Sequence, residues 1–398
     1  MKQLKWSPLM LFRLSLFICI FSFLPLLSGK GKPLKVFILV GQSNMQGTAR
    51  LTTLPHMAMD PKTKALHDKI SNGGQYYSND NVRIAAVSEG GKQSPQEKSG
   101  VLTVGYGSNL VKEDICGPEL AFGITMYERL QEPILIIKAA WGGKSLFQDF
   151  RPPSAGEFTD AKDKSQTGHY YRWMSSHVKK VLSDPGKYHP AYNKEVGYEI
   201  CGFAWFQGWN DMVSSAVYPD RFKPGGYDAY SEVLTHFIRD VRKEFKTSKM
   251  PFAIGVLGVD GPTKDYPKSK QRYQGIHQYF RDAMAAPASL PEFKRNVRTV
   301  LTENFWPVDV SNASDKKFEA AVQAKNEYLK AKKENKELPK NWLSNRRAEL
   351  EAKTMTAEDI KIMEIGRSNH GFHYLGSLKC YSQIGEALAN TLFEMNSK

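Results

Sequence analysis

The run Val36-Phe37-Ile38-Leu39-Val40 empties directly into Gly41-Gln42-Ser43-Asn44-Met45, and this junction constrains the chain more than any other stretch. Five apolar residues without polar alternation suit a strand buried on both faces, as in a parallel sheet covered by helices. Gly41 then ends the strand. Ser43 falls just beyond its carboxyl end, where open α/β sheets gather ligand groups. A lone serine there has two readings, a nucleophile or ordinary turn and helix-capping chemistry.

Two further strands run out in the same way. Ile134-Leu135-Ile136-Ile137 leads to Trp141-Gly142-Gly143-Lys144-Ser145, and Tyr198 to Phe206 delivers Gln207-Gly208-Trp209-Asn210-Asp211. Phe252 to Gly258 and Val297 to Thr302 are also strands. Helices alternate with them: Gly117-Pro118-Glu119 opens one through about Arg129, with proline where its missing N–H costs nothing. Tyr170 to Leu182 reads as another, and Tyr227 to Phe245 puts Leu234, Phe237, Ile238, Val241 and Phe245 on one face. The pattern predicts an α/β protein, a three-layer α/β/α sandwich with a mainly parallel central sheet of about five strands. Thr48 to Gly107 is Gly-, Ser-, Lys- and Asn-rich and reads as surface loop around one short strand, Val82 to Ala86. From Ser314 to about Ile365 the composition turns to Lys, Glu, Ala and Gln. Pro339 divides this stretch, which reads as a solvated helical hairpin inserted into the domain. His370-Gly371-Phe372-His373-Tyr374 then leads into a closing amphipathic helix, about Leu375 to Met395.

With 398 residues, one large domain with an insertion is the expectation. Residues 1–29 read as an export signal: Lys2, Lys5 and Arg13 precede an uncharged Leu/Phe/Ile stretch ending at Ser28-Gly29. The chain from residue 30 is then expected to be secreted or periplasmic, with no stable membrane span after signal removal. Losing those three cations lowers the formal charge from +14 to +11. Such a balance favours acidic polysaccharides or other anionic surfaces, and serves solubility equally. No nucleic-acid motif is present. Cys116, Cys201 and Cys380 are odd in number and irregularly spaced, which excludes a disulfide scaffold. No metal-ligand cluster has convincing spacing, and no cofactor is implied.

Three strand ends with small or polar groups and a late histidine are what acyl transfer requires. His373 or His370 could serve Ser43 as base if the last loop folds back over the same sheet edge. The Ser43 amide, the Gly142 or Gly143 amide and the Asn210 carboxamide are suitable oxyanion donors. The ordered blocks Gly41-Gln42-Ser43-Asn44-Met45, Trp141-Gly142-Gly143-Lys144-Ser145 and Gln207-Gly208-Trp209-Asn210-Asp211, closed by His373, resemble those of an SGNH-type hydrolase. The likeness is to the sialate O-acetylesterase and acetylxylan esterase group, carbohydrate esterase family 6. It covers most of Leu34 to Thr302 and Gly366 to Leu392.

The resemblance implies a metal-independent esterase removing O-acetyl groups from a glycan. In it Ser43 is the nucleophile, His373 the general base, and the Ser43 amide, Gly143 and Asn210 the oxyanion hole. Gln42, Gln207 and Trp209 are assigned to substrate contact, Trp209 as an aromatic face on which a sugar can stack. One departure stands out. Three residues before the histidine, where the family usually has an acid, this chain has His370. Asp211 is the carboxylate expected to substitute, with a backbone carbonyl as the other means of orienting the ring. The departure also leaves open a glycan-binding protein that has lost catalysis.

Overall fold

The computed structural model describes residues 31–89, 94–158, 166–334 and 337–397. The proposed export signal lies outside them. A seven-stranded sheet is built from β1 (Leu34–Gly41), β2 (Asn79–Glu89), β3 (Pro95–Leu102), β4 (Ile134–Ala140), β5 (Tyr198–Phe206), β6 (Phe252–Val256) and β7 (Val297–Leu301). Its order is β7-β6-β5-β1-β4-β2-β3. Every neighbouring pair is parallel except β2 and β3, which form an antiparallel hairpin.

The order explains where a site can form. The chain leaves β1 for β2 and β3, returns to β4 beside β1, then crosses to β5 on the other side of β1. Reversal of strand order opens a crevice at the carboxyl ends of the flanking strands. β4, β1 and β5 are adjacent, so the turns after Ala140, Gly41 and Phe206 meet at one edge.

Nine helices of ten or more residues are described: α1 (Pro61–Ile70), α2 (Glu119–Leu130), α3 (His169–Ser183), α4 (Asp228–Glu244), α5 (Gln271–Ala285), α6 (Val308–Lys333), α7 (Trp342–Thr354), α8 (Ala357–Gly366) and α9 (Leu378–Asn396). The alternation of β5 shows how they cover both faces. Phe203 and Trp205 point to α4, with ring centroids 5.9 and 4.4 Å from Phe237. Gly202 points the other way, where Leu392 of α9 fills the space that a side chain there would need. α2 packs against α9 on that second face. This is the α/β/α sandwich expected from the sequence, with a larger sheet. No described helix is long and apolar enough to cross a membrane.

Two expectations are corrected. The stretch 48–107 is not mainly surface loop: it holds α1, which buries Thr63, Leu66 and Ile70, and the hairpin β2–β3. β3, Pro95-Gln-Glu-Lys-Ser-Gly-Val-Leu, is polar because it is an edge strand, and its proline stands at the first position, where no ladder donor is needed. The charged insertion is three helices rather than a hairpin, and its base belongs to the core. Val310 and Ala313 are buried, Asp309 lies 2.8 Å from the buried His56, and Gly366 packs against Val310 and His56. Only the distal part has a separate small core, Ala320, Ala324 and Leu350.

Candidate active site

Ser43 opens a single helical turn, Ser43–Gln46, immediately after β1. A side chain at Gly41 would collide with the Phe206 carbonyl oxygen, so glycine is what lets β1 and β5 close together at this point. At the first position of a helical turn the Ser43 amide has no helical acceptor and is left as a donor. The other end of the turn is anchored from below. Lys138, buried in β4, donates to the Gln46 carbonyl (2.7 Å), the Tyr106 carbonyl (2.8 Å) and the Glu119 carboxylate (2.7 Å), so all three ammonium protons have acceptors. Burial pushes the Lys138 ammonium below its ordinary value, and the Glu119 charge opposes this.

The turns after β1, β4 and β5 are clipped together by buried carboxamides. Gln42 Oε1 accepts from the amides of Gly208 (3.0 Å) and Asn210 (3.4 Å) and from Gln207 Nε2 (3.2 Å), while Gln42 Nε2 donates to Asn210 Oδ1 (3.2 Å). Gln207 Nε2 also reaches the Lys144 carbonyl (3.0 Å) and Asp211 (2.6 Å). Both glutamines are 1% exposed. The substrate contact expected of them is not what their hydrogen bonds serve here: they hold together the turns after β1, β4 and β5.

Asn210 is partly exposed, and its Nδ2 donates to the Gly143 carbonyl at 3.0 Å. A carbonyl can only accept, so the NH₂ end of Asn210 faces this side and carries a second proton. Gly143 has φ +71, a conformation that favours glycine, and faces open space. A methyl group at Gly142 would sit 3.9 Å from Ser43 Cβ. Ser43 and Asn210 therefore both adjoin the Gly142-Gly143 turn, which gathers the donor types that an oxyanion needs.

The histidine arrives on a strained loop, Gly371–Gly376, in which Tyr374 (φ 49), Leu375 (φ 58) and Gly376 (φ 62) are successively left-handed. Surrounding bonds hold it there. The Tyr374 hydroxyl accepts from the Gly258 amide (2.7 Å) and lies 2.5 Å from Thr302 Oγ1. The Leu375 carbonyl accepts from the amides of Ser368 and Asn369. Asn44, the residue after Ser43, donates to the Phe372 carbonyl at 3.1 Å and accepts from the Tyr381 hydroxyl at 2.9 Å. That hydroxyl lies 3.3 Å from the His373 carbonyl. The nucleophile turn and the histidine loop are thus tied through a neighbour of each. Ser43 Oγ and His373 make no direct hydrogen bond to each other, and catalytic hydrogen bonds often tighten only in the Michaelis complex.

The expected partner of His373 is corrected. Asp211 is fully buried and accepts from the amides of Leu146 (2.8 Å) and Phe147 (3.1 Å), from Gln207 Nε2 (2.6 Å) and from the Tyr218 hydroxyl (3.1 Å). It braces the loop after β4 and does not meet the imidazole. Burial pushes its carboxyl up to about 6 even against these four donors. His370 is not the partner either. Its exposed ring stacks on Phe372 at 5.3 Å, and Phe372 lies 5.5 Å from Trp209.

The group facing His373 Nδ1 is Asn369 Oδ1, at 3.1 Å. The same oxygen accepts from the His370 amide at 2.8 Å, and a backbone N–H can only donate. The Asn369 amide is thereby fixed with oxygen toward the ring. Nδ1 must carry the proton, and Nε2 is left with its lone pair. Burial, with the charge of His370 adding to it, pushes His373 down to about 4, so the ring is neutral near pH 7. This carboxamide stands four residues before the histidine, one position further back than the acid of the resembling pattern. The turn closed by the His373 amide on the His370 carbonyl (3.0 Å) is what brings a side chain at that spacing to the ring.

A mainly parallel sheet with a serine, glycines, a carboxamide and an oriented neutral histidine at one edge gathers the group types that ester hydrolysis uses. Comparison makes this particular, because residues 33–289 match the family described as carbohydrate esterase, sialic acid-specific acetylesterase, and the chain belongs to that family. The matched span holds Ser43, Gly143 and Asn210 and ends before Asn369 and His373. No curated protein matches the sequence. Among solved structures, a protein from Arabidopsis thaliana is 17% identical, with 68% of this chain and 86% of that chain covered and a TM-score of 0.37. XAC1771, a carbohydrate acetylesterase from Xanthomonas citri, is 15% identical over 67% of this chain and 49% of its own, with a TM-score of 0.38. NanS is 15% identical over 68% and 78%, with a TM-score of 0.39. At these distances the neighbours carry no argument about the site.

Proposed function

We propose that this chain is an exported carbohydrate esterase that removes acetyl groups from sugar hydroxyls through a Ser43 acyl-enzyme, with sialic acid O-acetyl esters as the first substrates to try. The observation that carries the reading is the fixed Asn369 carboxamide, which leaves His373 Nε2 as the basic nitrogen on the loop tied to the Ser43 turn.

Ser43 Oγ attacks the ester carbonyl carbon while His373 Nε2 takes its proton. The amides of Ser43 and Gly143 and the free N–H of Asn210 receive the developing oxyanion. Collapse breaks the bond to the sugar oxygen, which leaves with the proton held by His373. Water, deprotonated by the same nitrogen, then releases acetate and restores Ser43. Trp209 and Phe372 form a partly exposed aromatic wall beside Asn210, against which a sugar face can stack. Asn369 orients the imidazole as a neutral acceptor, without the charge that a carboxylate would set against the imidazolium. The glycan-binding alternative drew its support from the missing acid, and an oriented base weakens that ground. The charged leader followed by an apolar run supports export.

The test is acetate release from an O-acetylated sialoside by the protein and by Ser43→Ala. The reading expects release by the first, none by the second, and equal Tm. Equal release by both would remove Ser43 from the mechanism.

A further inference from the structure

At the edge of the sheet opposite the catalytic turns, the end of α4 and the segment entering β7 border an open recess of about 1480 Å³. Lys243, Lys246, Lys249, Lys294 and Arg295 line it, all exposed, and among the described residues no acid pairs with any of them. The acids nearby are already engaged: Glu292 with Arg239 and Glu394 with Arg298. Two of the lysines, Lys243 and Lys246, lie where a helix C-terminus attracts cations, but Lys294 and Arg295 come from a different segment and owe nothing to that dipole.

The recess is built rather than incidental. Arg242, 5% exposed, donates to the Met250 carbonyl (2.8 Å) and to the carbonyl and side-chain oxygen of Asn296 (3.1 and 2.8 Å), which joins the two basic segments. Its guanidinium lies 5.1 Å from the ring of Phe293. Lys246 holds φ +54 at the turn that closes α4, where its amide donates to Lys243 and that of Thr247 to Arg242. Glycine is the usual residue in that conformation. A lysine there accepts backbone strain in a position that displays its charge.

We propose that this recess is a docking site for an anionic polysaccharide, carboxylated or sulfated, which holds the enzyme on a polymer while the catalytic edge stays free. The inference rests on the reading of the protein as a carbohydrate esterase. Convergent cations in a concave site raise the local concentration of a polyanion. Single-stranded nucleic acid binders add aromatic platforms for bases. Here the one lining aromatic, Phe293, is 2% exposed and covered by Arg239 and Arg242. The large apolar side chains of the lining, Phe293 and Met395, are 2% and 8% exposed, so no apolar anchor is available for insertion and an anionic membrane could be held by charge alone.

The experiment measures binding of labelled polygalacturonate and labelled heparin fragments by fluorescence anisotropy at physiological salt. It compares the protein with K246G, with K246E/K249E/K294E, and with a control of equal charge change on α6, K325E/K330E/K333E. The expected result is at least a tenfold loss of affinity in the recess triple and less than about threefold in the control, with no binding of neutral dextran. K246G is expected to weaken binding while leaving Tm unchanged or raised, which separates charge from folding. Acetate release from a small ester should be equal in all variants. Equal losses in the two triples would overturn the proposal in favour of net charge alone. Tighter, recess-dependent binding of an oligodeoxynucleotide or of anionic vesicles would overturn the polysaccharide assignment. Binding is read without hydrolysis, so failure of the esterase reading would appear separately, as absent acetate release.

Discussion

Replacing Asn369 by aspartate puts a negative charge against His373 Nδ1, now 3.1 Å from a neutral oxygen. Two unit charges about 4 Å apart near a protein surface interact by about 4 kcal/mol at an effective dielectric of 20. Both groups are partly exposed, so solvent screening reduces this to about 2 kcal/mol. That corresponds to a rise of about 1.5 pH units in the histidine. His373 would move from about 4 toward the middle of the range between 5 and 6. The same interaction stabilises the imidazolium of the transition state, which at about 2 kcal/mol is roughly a 30-fold gain in kcat/KM above the acid limb. The assay is kcat/KM for an activated acetyl ester against pH. The wild type should lose activity on acidification near pH 4, and Asn369→Asp should lose it higher while turning over faster at pH 8. As a control, Asn369→Leu removes the acceptor and should lower kcat by on the order of 10²–10⁴, because nothing then selects the tautomer. An acid limb unmoved by Asn369→Asp, with no change in rate, would refute the placement of this amide against the ring.

Asn210→Ala should lower kcat by on the order of 10²–10³ with less effect on KM, since its donor matters most as charge develops; a change confined to KM in steady-state kinetics would argue for ground-state binding. Asp211 in the folded protein titrates at about 6, above its ordinary value, so its contribution to stability is full below about pH 4 and is lost as pH rises through 6. Asp211→Asn should therefore remove that fall between pH 4 and 6; it should also lower Tm, because its NH₂ would face donors that one carboxylate oxygen now accepts, and leave the acid limb of kcat/KM in place. A shifted limb would return Asp211 to the catalytic machinery. Lys138→Met leaves the Glu119 carboxylate buried without its cation and should cost about 3–5 kcal/mol in denaturant unfolding, with loss below 1 kcal/mol contradicting the pairing. Trimming the distal insertion between about residues 322 and 354 should spare activity on a small ester. Deleting 314–365 entirely should lower Tm, because the buried Ser314 and the capped start of α8 would go with it and Gly366 would lose the helix that seats it.

The three strands that carry the site were legible because strands buried on both faces read as unbroken apolar runs, and their glycine turns could be placed beyond them. Adjacency was not legible. That β4, β1 and β5 lie side by side depends on crossovers, which residue patterns do not encode locally. Gln42 and Gln207 misled for a physical reason: a carboxamide looks the same in sequence whether it meets a sugar or, buried, satisfies backbone amides. Asp211 misled likewise, since a carboxylate beside a turn can brace it with four donors as readily as it can orient a histidine. Asn369 was hidden because the turn that brings it to the ring, closed by the His373 amide on the His370 carbonyl, has no signature in the residue pattern. Edge strand β3 was hidden by its polar residues although Leu102 is buried, and the start of α6, with Val310 and Ala313 buried, lies just before the charged stretch 314–365 and is not part of its pattern.

The central claim is that Ser43 is acylated. Incubation with a serine-reactive phosphonate, followed by intact mass and peptide mapping, measures this directly. The account predicts a single adduct on Ser43, formed in step with loss of esterase activity and absent from Ser43→Ala, while His373→Ala slows its formation. An adduct on another residue that tracks the loss of activity, or full inactivation with Ser43 unmodified, would contradict it.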